Sequence, residues 1–123
     1  MPGTPRPLRL LLVEDHENTL KTLRRLLERD GHQVVTAASV AAAIEPASAH
    51  PFDLVISDLG LPDGTGIELM QKLRATHGLS GVALSGYGVE EDLARSRVAG
   101  FIAHLVKPIH FADLRRVLSS VRP

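Results

Sequence analysis

The sequence predicts an α/β fold in which a doubly wound, five-stranded parallel sheet carries helices on both faces. Five short apolar runs alternate with segments of helical periodicity, an order typical of this class. The runs are nearly continuous, as expected for strands that are buried on both faces of a sheet. The 123 residues and 44% hydrophobic content suit one domain with an ordinary core.

The first half of the chain contains three predicted strands and two predicted helices. The strands are residues 8–13, 33–37 and 53–57. Leucines at helical spacing predict a helix over residues 18–30, and Gly31 follows it as a C-terminal stop. The second helix, residues 39–49, is rich in alanine. It contains Pro46, where we expect a kink or an early break because proline cannot donate the helical hydrogen bond.

The second half begins with a T-x-x-E capping box, Thr65 and Glu68, which predicts the start of the third helix. The remaining predicted elements are strands at 82–85 and 101–106 and helices at 90–99 and 112–121. The proline-rich start, MPGTPRP, predicts a flexible lead-in over residues 1–7, and residues 8–123 are expected to form a single domain.

Composition excludes several classes of function. Lys and Arg balance Asp and Glu at 14 each, and aromatic residues make up 3%, so the chain offers neither a net positive charge nor aromatic stacking to attract nucleic acid. There is no cysteine for a disulfide or a thiolate metal site. No apolar run reaches the length of a membrane span, and we expect a cytoplasmic protein without membrane association.

Chemically reactive side chains stand at the C-terminal ends of four predicted strands. They are Glu14, Asp15, Asp58, Ser85 and Lys107. Ligands of an open doubly wound sheet bind beyond these ends, and the opposite ends carry no comparable set. Three neighbouring carboxylates repel one another unless a cation joins them, and Mg²⁺ prefers oxygen ligands. Acids, Mg²⁺, a lysine and a hydroxyl indicate a phosphoryl-transfer site in which one aspartate can be the nucleophile.

The segments VEDHENT, VISDLGLPDGTG, ALSGYG and HLVKPI resemble, in order, the four signature segments of response-regulator receiver domains, over roughly residues 8–121. The resemblance implies a flavodoxin-like sheet with strand order 2-1-3-4-5 and a role in two-component signalling. Asp58 matches the phosphoacceptor, which takes a phosphoryl group from a phosphohistidine of a sensor histidine kinase or phosphotransfer protein. Asp15, Asp58 and the backbone carbonyl of Gly60 match the direct Mg²⁺ ligands. Glu14 matches the acid that holds the ion through water.

The resemblance also assigns a conformational switch. It implies that Ser85 is the switch hydroxyl, that Lys107 pairs with the phosphoryl group, and that the Lys107–Pro108 bond is cis. His104 occupies the position of an aromatic side chain that swings inward in many receivers. Because histidine titrates near neutral pH, we hypothesise that output depends on the protonation of His104. An activation signal that keeps its pH dependence in His104→Phe would contradict this hypothesis.

In receivers the fourth helix, fifth strand and fifth helix often form the surface for a downstream partner protein. The candidates here are Val89, Leu93, Phe101, His104 and Leu118. Whether the chain forms a homodimer is left open. The other histidines are scattered and expected at the surface, with His16 beside the acidic pair: His16, His32, His50, His77 and His110.

The chain is expected to be a phosphoryl acceptor, not an enzyme, either as a stand-alone receiver or as the receiver segment of a hybrid histidine kinase. A Mg²⁺-dependent phosphohydrolase with an aspartyl nucleophile is less favoured, because the position of its acid–base catalyst is occupied by Gly60. A flavodoxin-like cofactor binder is rejected, because the acidic segment EDHENT would repel a phosphate.

Overall fold

The computed structural model describes residues 7–86 and 97–121, and it confirms the five-stranded parallel sheet. The strands are β1 (Arg9–Val13), β2 (Gln33–Ala37), β3 (Leu54–Asp58), β4 (Gly81–Ser85) and β5 (Phe101–Val106). Their order is β2-β1-β3-β4-β5, as predicted, and every neighbouring pair is parallel. The chain therefore reverses its direction of winding beside β1, and the C-terminal ends of β1 and β3 are neighbours.

Four helices lie wholly within the described residues: α1 (Glu17–Arg29), α2 (Val40–Ala49), α3 (Gly66–His77) and α4 (Phe111–Ser119), the last being the predicted fifth helix. The expected break at Pro46 is wrong, because α2 continues through it to Ala49. Proline removes only its own donor, and Ala43 and Ala47 hold the helix against the core on either side of it.

Two predictions fall largely outside the described residues. These are the lead-in, of which only Pro7 is described, and the helix at residues 90–99, of which residues 97–99 are described and helical. Among the described helices, none combines the length and the apolar character that a bilayer span requires.

The sheet separates two hydrophobic cores. In β1, Leu10 and Leu12 face one core with residues of α1 and α4, whereas Leu11 and Val13 face the other core with residues of α2 and α3. Each fully buried leucine stabilises the fold by about 2 kcal/mol through removal of apolar surface from water. Packing on both faces fixes the strands, and therefore fixes which side chains meet where the strands end.

The segment after β3 is held in place by backbone contacts. Thr65 Oγ1 accepts the Glu68 N–H at 3.1 Å, which confirms the capping box of α3. A side chain on Gly66 would place its Cβ 2.2 Å from the Asp58 carbonyl oxygen, so only glycine fits without a backbone shift. The Asp63 carboxylate accepts N–H groups at the start of α2 at 2.8 and 3.0 Å. The segment that follows Asp58 is thus tied to two helices.

The opposite edge of the sheet, where the strands begin, also carries polar contacts. His32 is 5% exposed, and its Nδ1 accepts the Leu8 N–H at 3.0 Å. The prediction that His32 lies at the surface is wrong, because the start of β1 needs this buried acceptor. Asp53 accepts the Arg9 N–H at 2.8 Å and its guanidinium at 3.1 Å. The remaining histidines of that prediction are exposed: His16, His50, His77 and His110.

Candidate functional site

One lysine joins two buried acids at the C-terminal edge of the sheet. Glu14 follows β1, Asp58 ends β3, and Lys107 follows β5. Lys107 Nζ donates to Glu14 Oε1 and to Asp58 Oδ2, each at 2.7 Å. Glu14 is fully buried and Asp58 is 7% exposed, whereas the Lys107 side chain is 26% exposed. The three groups therefore form a partly open cluster with one negative charge in excess.

Backbone donors hold the second oxygen of each acid. Glu14 Oε2 accepts the His16 N–H at 3.2 Å, and Asp58 Oδ1 accepts the Gly60 N–H at 3.1 Å. Both carboxylates are thus fixed from two sides, by Lys107 and by the chain that follows each strand. A carboxylate held in this way loses little freedom when a reacting group approaches it.

The cluster shifts the pKa values of two of its members. Burial raises the pKa of Glu14 above its ordinary value of 4.5, and Asp58 adds to this shift, while Lys107 and the His16 N–H oppose it. For Lys107, burial lowers the pKa, but the hydrogen bonds that its ammonium donates to Asp58 and Glu14 outweigh this effect and leave the pKa raised. The lysine therefore stays charged, whereas burial disfavours the ionised form of Glu14.

Asp15 lies beside this cluster and is exposed. Its carboxylate, the Glu14 carboxylate and the His16 imidazole each offer a ligand atom, and these atoms lie within 4.8 Å of one another. Within residues 7–86 and 97–121, neither a hydrogen bond nor an ion pair links Asp15 to Asp58. The predicted metal ligands therefore share one edge of the sheet, but Asp15 groups with Glu14 and His16.

Ser85 and His104 are in direct contact on neighbouring strands. Ser85 Oγ and His104 Nε2 lie 2.5 Å apart, with Ser85 buried and His104 half-buried. The Lys107 N–H also donates to the Ser85 carbonyl at 2.7 Å, which ties the end of β5 to the end of β4. The predicted switch hydroxyl is therefore hydrogen-bonded to the predicted aromatic-position residue, two strands away from Glu14.

A model of the response regulator receiver domain family matches residues 10–119. The chain belongs to this family. It is 35% identical over 114 residues to the transcriptional regulatory protein KdpE of Mycobacterium tuberculosis, covering 92% of this chain and 50% of KdpE. It is also 35% identical over 120 residues to the virulence sensor protein BvgS of Bordetella pertussis, covering 91% of this chain and 10% of BvgS.

The receiver fold agrees with solved structures. The non-phosphorylated HemR receiver domain from Leptospira biflexa is similar with a TM-score of 0.84 and 33% identity, covering 96% of this chain and 98% of that one. The present chain thus spans about half the length of KdpE and a tenth of BvgS, but nearly all of the HemR receiver domain.

The receiver also has a cavity of about 340 Å³ beside the acid–lysine cluster. It is lined by the residues of the Lys107–Pro108 turn and by the start of α1: Asn18, Thr19, Thr22, Leu23, Lys107, Pro108 and Ile109. The Lys107–Pro108 bond is cis, as the resemblance implied. The cavity combines hydroxyl groups with apolar side chains and opens next to the charged site.

The predicted partner surface needs correction. Phe101 and Leu118 are buried, because Phe101 belongs to the core beside α3 and Leu118 lies on the core stripe of α4. His104 is half-buried, and Val89 and Leu93 lie outside the described residues. The exposed large apolar side chains near β5 are Val98, Ile102 and Val106.

Two residues of the site were not singled out from the sequence. Gly66 has a local signal, since it is the last glycine of LPDGTG and sits directly after the helix cap. Asp63 has none, because the N–H groups it caps lie 22 and 23 residues earlier in the chain. Such a contact depends on the packing of α2 against the segment that follows Asp58.

Proposed function

We propose that this receiver domain accepts a phosphoryl group on Asp58 from a phosphohistidine of a sensor histidine kinase or phosphotransfer protein. One observation carries the proposal. Asp58 ends a buried strand, and its carboxylate accepts a hydrogen bond from Lys107 Nζ on one oxygen and from the Gly60 N–H on the other. The family match supports a role in two-component signalling. In this view the chain is a phosphoryl acceptor in the cytoplasm and not an enzyme for free substrates.

The proposed reaction uses groups already in place. A carboxylate oxygen of Asp58 attacks the phosphorus, and the phosphorus–nitrogen bond of the phosphohistidine breaks. The electron pair of that bond stays on the imidazole, which takes up a proton, and an acyl phosphate forms on Asp58. Lys107, held charged by its two acids, is positioned to pair with the phosphoryl oxygens. Gly60 offers no side chain for acid–base work, which disfavours turnover of phosphate esters.

A divalent cation fits the donors at this site. Asp15, Asp58 and the backbone carbonyl of Gly60 would hold Mg²⁺ directly, and Glu14 would do so through water. The set is made of oxygen atoms, which hard dications prefer, and it carries more negative than positive charge. When bound, Mg²⁺ supplies positive charge that offsets the charge of the phosphoryl oxygens.

The proposed switch involves Ser85 and His104. Their hydrogen bond occupies the Ser85 hydroxyl, so a move of this hydroxyl toward a phosphoryl group on Asp58 must exchange that bond. Ser85 ends β4, and His104 lies within β5, the strand that carries the exposed side chains of Ile102 and Val106. We propose that this exchange changes the surface formed by β5 and its neighbouring helices, to which a downstream protein binds.

The cavity between α1 and the Lys107–Pro108 turn is the proposed approach for the phosphodonor protein. It lies beside Lys107 and presents Thr19 and Thr22 together with apolar Ile109. A mixed surface of this kind suits a partner that must bind and leave. The parent protein is proposed to be either a regulator or a larger sensor such as a hybrid histidine kinase, since the curated relatives include both a regulatory protein and a sensor protein.

The test is the intact mass after incubation with Mg²⁺ and acetyl phosphate. We expect a gain of one phosphoryl group that requires Mg²⁺ and is released by hydroxylamine, as an acyl phosphate is. Asp58→Asn is expected to abolish the gain, and Asp113→Asn, a substitution on the remote helix α4, to leave it unchanged. No gain in the folded wild-type protein, or an equal gain in Asp58→Asn, would contradict the proposal.

A further inference from the structure

The chain that follows β3 forms a small β-hairpin, which we call the Gly60 hairpin. Its two strands are Gly60–Leu61 and Gly64–Thr65, which pair in antiparallel register. The turn between them is made by Pro62 and Asp63, and both residues are exposed. A two-stranded hairpin is at best marginally stable alone in water, so contacts outside this hairpin must hold its shape.

The hairpin begins with the residue that holds the proposed phosphoacceptor. The Gly60 N–H donates to Asp58 Oδ1 at 3.1 Å, and the Gly60 carbonyl is a proposed Mg²⁺ ligand. Gly60 has no side chain to pack, and a Cβ placed there would meet no described atom within 4 Å. The position of the Gly60 backbone therefore depends on how the rest of the hairpin is anchored.

The far end of the hairpin is anchored to the first turn of α2. The Asp63 carboxylate accepts the Val40 N–H at 2.8 Å and the Ala41 N–H at 3.0 Å. The Val40 side chain also lies against Gly64, because a Cβ on that glycine would be 3.2 Å from Val40 Cγ2. The hydrogen bonds from the Ala41 and Val40 N–H groups lower the pKa of Asp63, so its carboxylate stays ionised at neutral pH.

We infer that Asp63 is a positioning residue for phosphoryl acceptance, which holds the Gly60 hairpin on α2 so that the Gly60 N–H stays on Asp58. The anchor is firm, because Ala43 and Ala47 are buried in the core beneath α2. Without Asp63, the Asp58 carboxylate loses a fixed donor and must be ordered at the moment of reaction. The inference rests on the proposed function, and it adds a residue that itself touches neither the phosphoryl group nor the cation.

The test compares Asp63→Ala with the matched control Ser39→Ala. Ser39 Oγ accepts the Ala42 N–H at 3.0 Å, so Ser39 caps the same end of α2, and none of its described hydrogen bonds reaches the hairpin. Both variants should lose stability to a similar degree, because each removes a side-chain acceptor from one helix end. Urea unfolding measures this loss and gives the folded fraction by which the reaction rates are corrected.

The rates are those of phosphoryl gain from acetyl phosphate at saturating Mg²⁺, followed by intact mass. Per folded molecule, we expect Asp63→Ala to be slower than the wild type by about tenfold or more and Ser39→Ala to stay within about twofold of it. Asp63→Asn keeps one accepting oxygen and should recover most of the rate.

A second readout observes Gly60 itself. In ¹⁵N-labelled protein without Mg²⁺ or phosphodonor, the amide signal of Gly60 should move in the NMR spectrum of Asp63→Ala and keep its place in that of Ser39→Ala. Equal rates per folded molecule in Asp63→Ala and Ser39→Ala, or a Gly60 signal that does not move in Asp63→Ala, would overturn the inference.

The outcomes also separate this inference from the proposed function. If the wild type accepts a phosphoryl group and Asp63→Ala accepts it as fast as Ser39→Ala does, the inference fails and the proposed function stands. If the wild type gains no phosphoryl group while the Gly60 signal moves in Asp63→Ala alone, Asp63 still positions Gly60 and the proposed function fails.

Discussion

At the edge where the strands begin, acids are paired one to one with arginines. At the edge where the strands end, one lysine binds two acids. At the first edge Arg9 bonds Asp53 through its N–H and its guanidinium. Close to the start of β2, Arg115 binds the carboxylate of Asp30 with distances of 2.9 and 3.1 Å. Charge is balanced there, and the contacts fasten strands and helices together.

At the second edge the charges do not balance. Lys107 bonds both Glu14 and Asp58, and Asp15 adds a further acid beside them. Burial of unbalanced charge costs stability, as the raised pKa of Glu14 indicates. The comparison teaches that, among these described ion pairs, the unbalanced arrangement lies at the edge where a cation and a phosphoryl group are proposed to bind.

The largest expected effect concerns the backbone behind the acids. Gly66→Ala would drive a Cβ into the Asp58 carbonyl oxygen, and we expect it to lower the free energy of unfolding by about 3 kcal/mol. Gly60→Ala is the matched control in the same segment, because its Cβ would meet no atom within 4 Å. Urea unfolding measures both.

Gly81→Ala sharpens the comparison between the two edges. Gly81 is the first residue of β4, and the Cβ of an alanine there would lie 2.7 Å from the Val55 carbonyl oxygen. It should also destabilise the fold, but its folded fraction should still accept a phosphoryl group at the wild-type rate. Equal stability of Gly66→Ala and Gly60→Ala would show that the close approach to Asp58 imposes no constraint.

The second prediction removes the shared cation. Lys107→Ala leaves two acids facing each other, and we expect a loss of about 2 kcal/mol, below the usual cost of breaking a buried pair because Lys107 is partly exposed. Added Mg²⁺ should restore part of this loss, and its removal by a chelator should reverse the gain. Arg115→Ala, at the balanced edge, should change stability little and show no response to Mg²⁺. The same Mg²⁺ response in both variants would contradict the comparison.

The third prediction removes the excess negative charge. Because the pKa of Glu14 is raised in the folded protein, its ionised form destabilises the fold as pH rises through and above its ordinary value of 4.5. Glu14→Gln should therefore raise the free energy of unfolding by about 1 kcal/mol at neutral pH, a gain kept small because the charge-assisted hydrogen bond from Lys107 is weakened at the same time. It should also slow phosphoryl acceptance. Thermal unfolding as a function of pH checks this, and a less stable Glu14→Gln at neutral pH would contradict it.

The smallest expected effect has the opposite pH dependence and lies at the other edge. Burial lowers the pKa of His32, although Asp30 opposes the shift, so the unfolded chain binds this proton more tightly. Stability should fall as pH drops below the ordinary histidine value of 6.5, because protonated Nδ1 cannot accept the Leu8 N–H. His32→Gln should flatten this part of the profile and leave phosphoryl acceptance unchanged. A wild-type profile with no fall below that pH would contradict the role given to His32.

Much of the architecture could be predicted from the sequence, because the strands and helices depend on local hydrophobic pattern. The apolar runs predicted all five strands to within a residue or so of their observed ends, since strands buried on both faces need continuous apolar sequence. Asp58 and Lys107 were predicted to meet because parallel strands end at one edge. Pro46 misled the prediction, since one missing donor is a local cost that packing of α2 overcame.

By itself, then, the sequence determined the fold class, the strand order implied by its family resemblance, and the edge of the sheet at which the reactive groups gather. Only the tertiary structure decided which groups touch. Lys107 reaches acids 93 and 49 residues away, and His32 is buried because β1 begins beside it. The physical reason is the separation in sequence of the residues involved. Hydrophobic periodicity is a property of one helix or strand, whereas side-chain pairing, burial and pKa depend on how elements distant in sequence pack against each other.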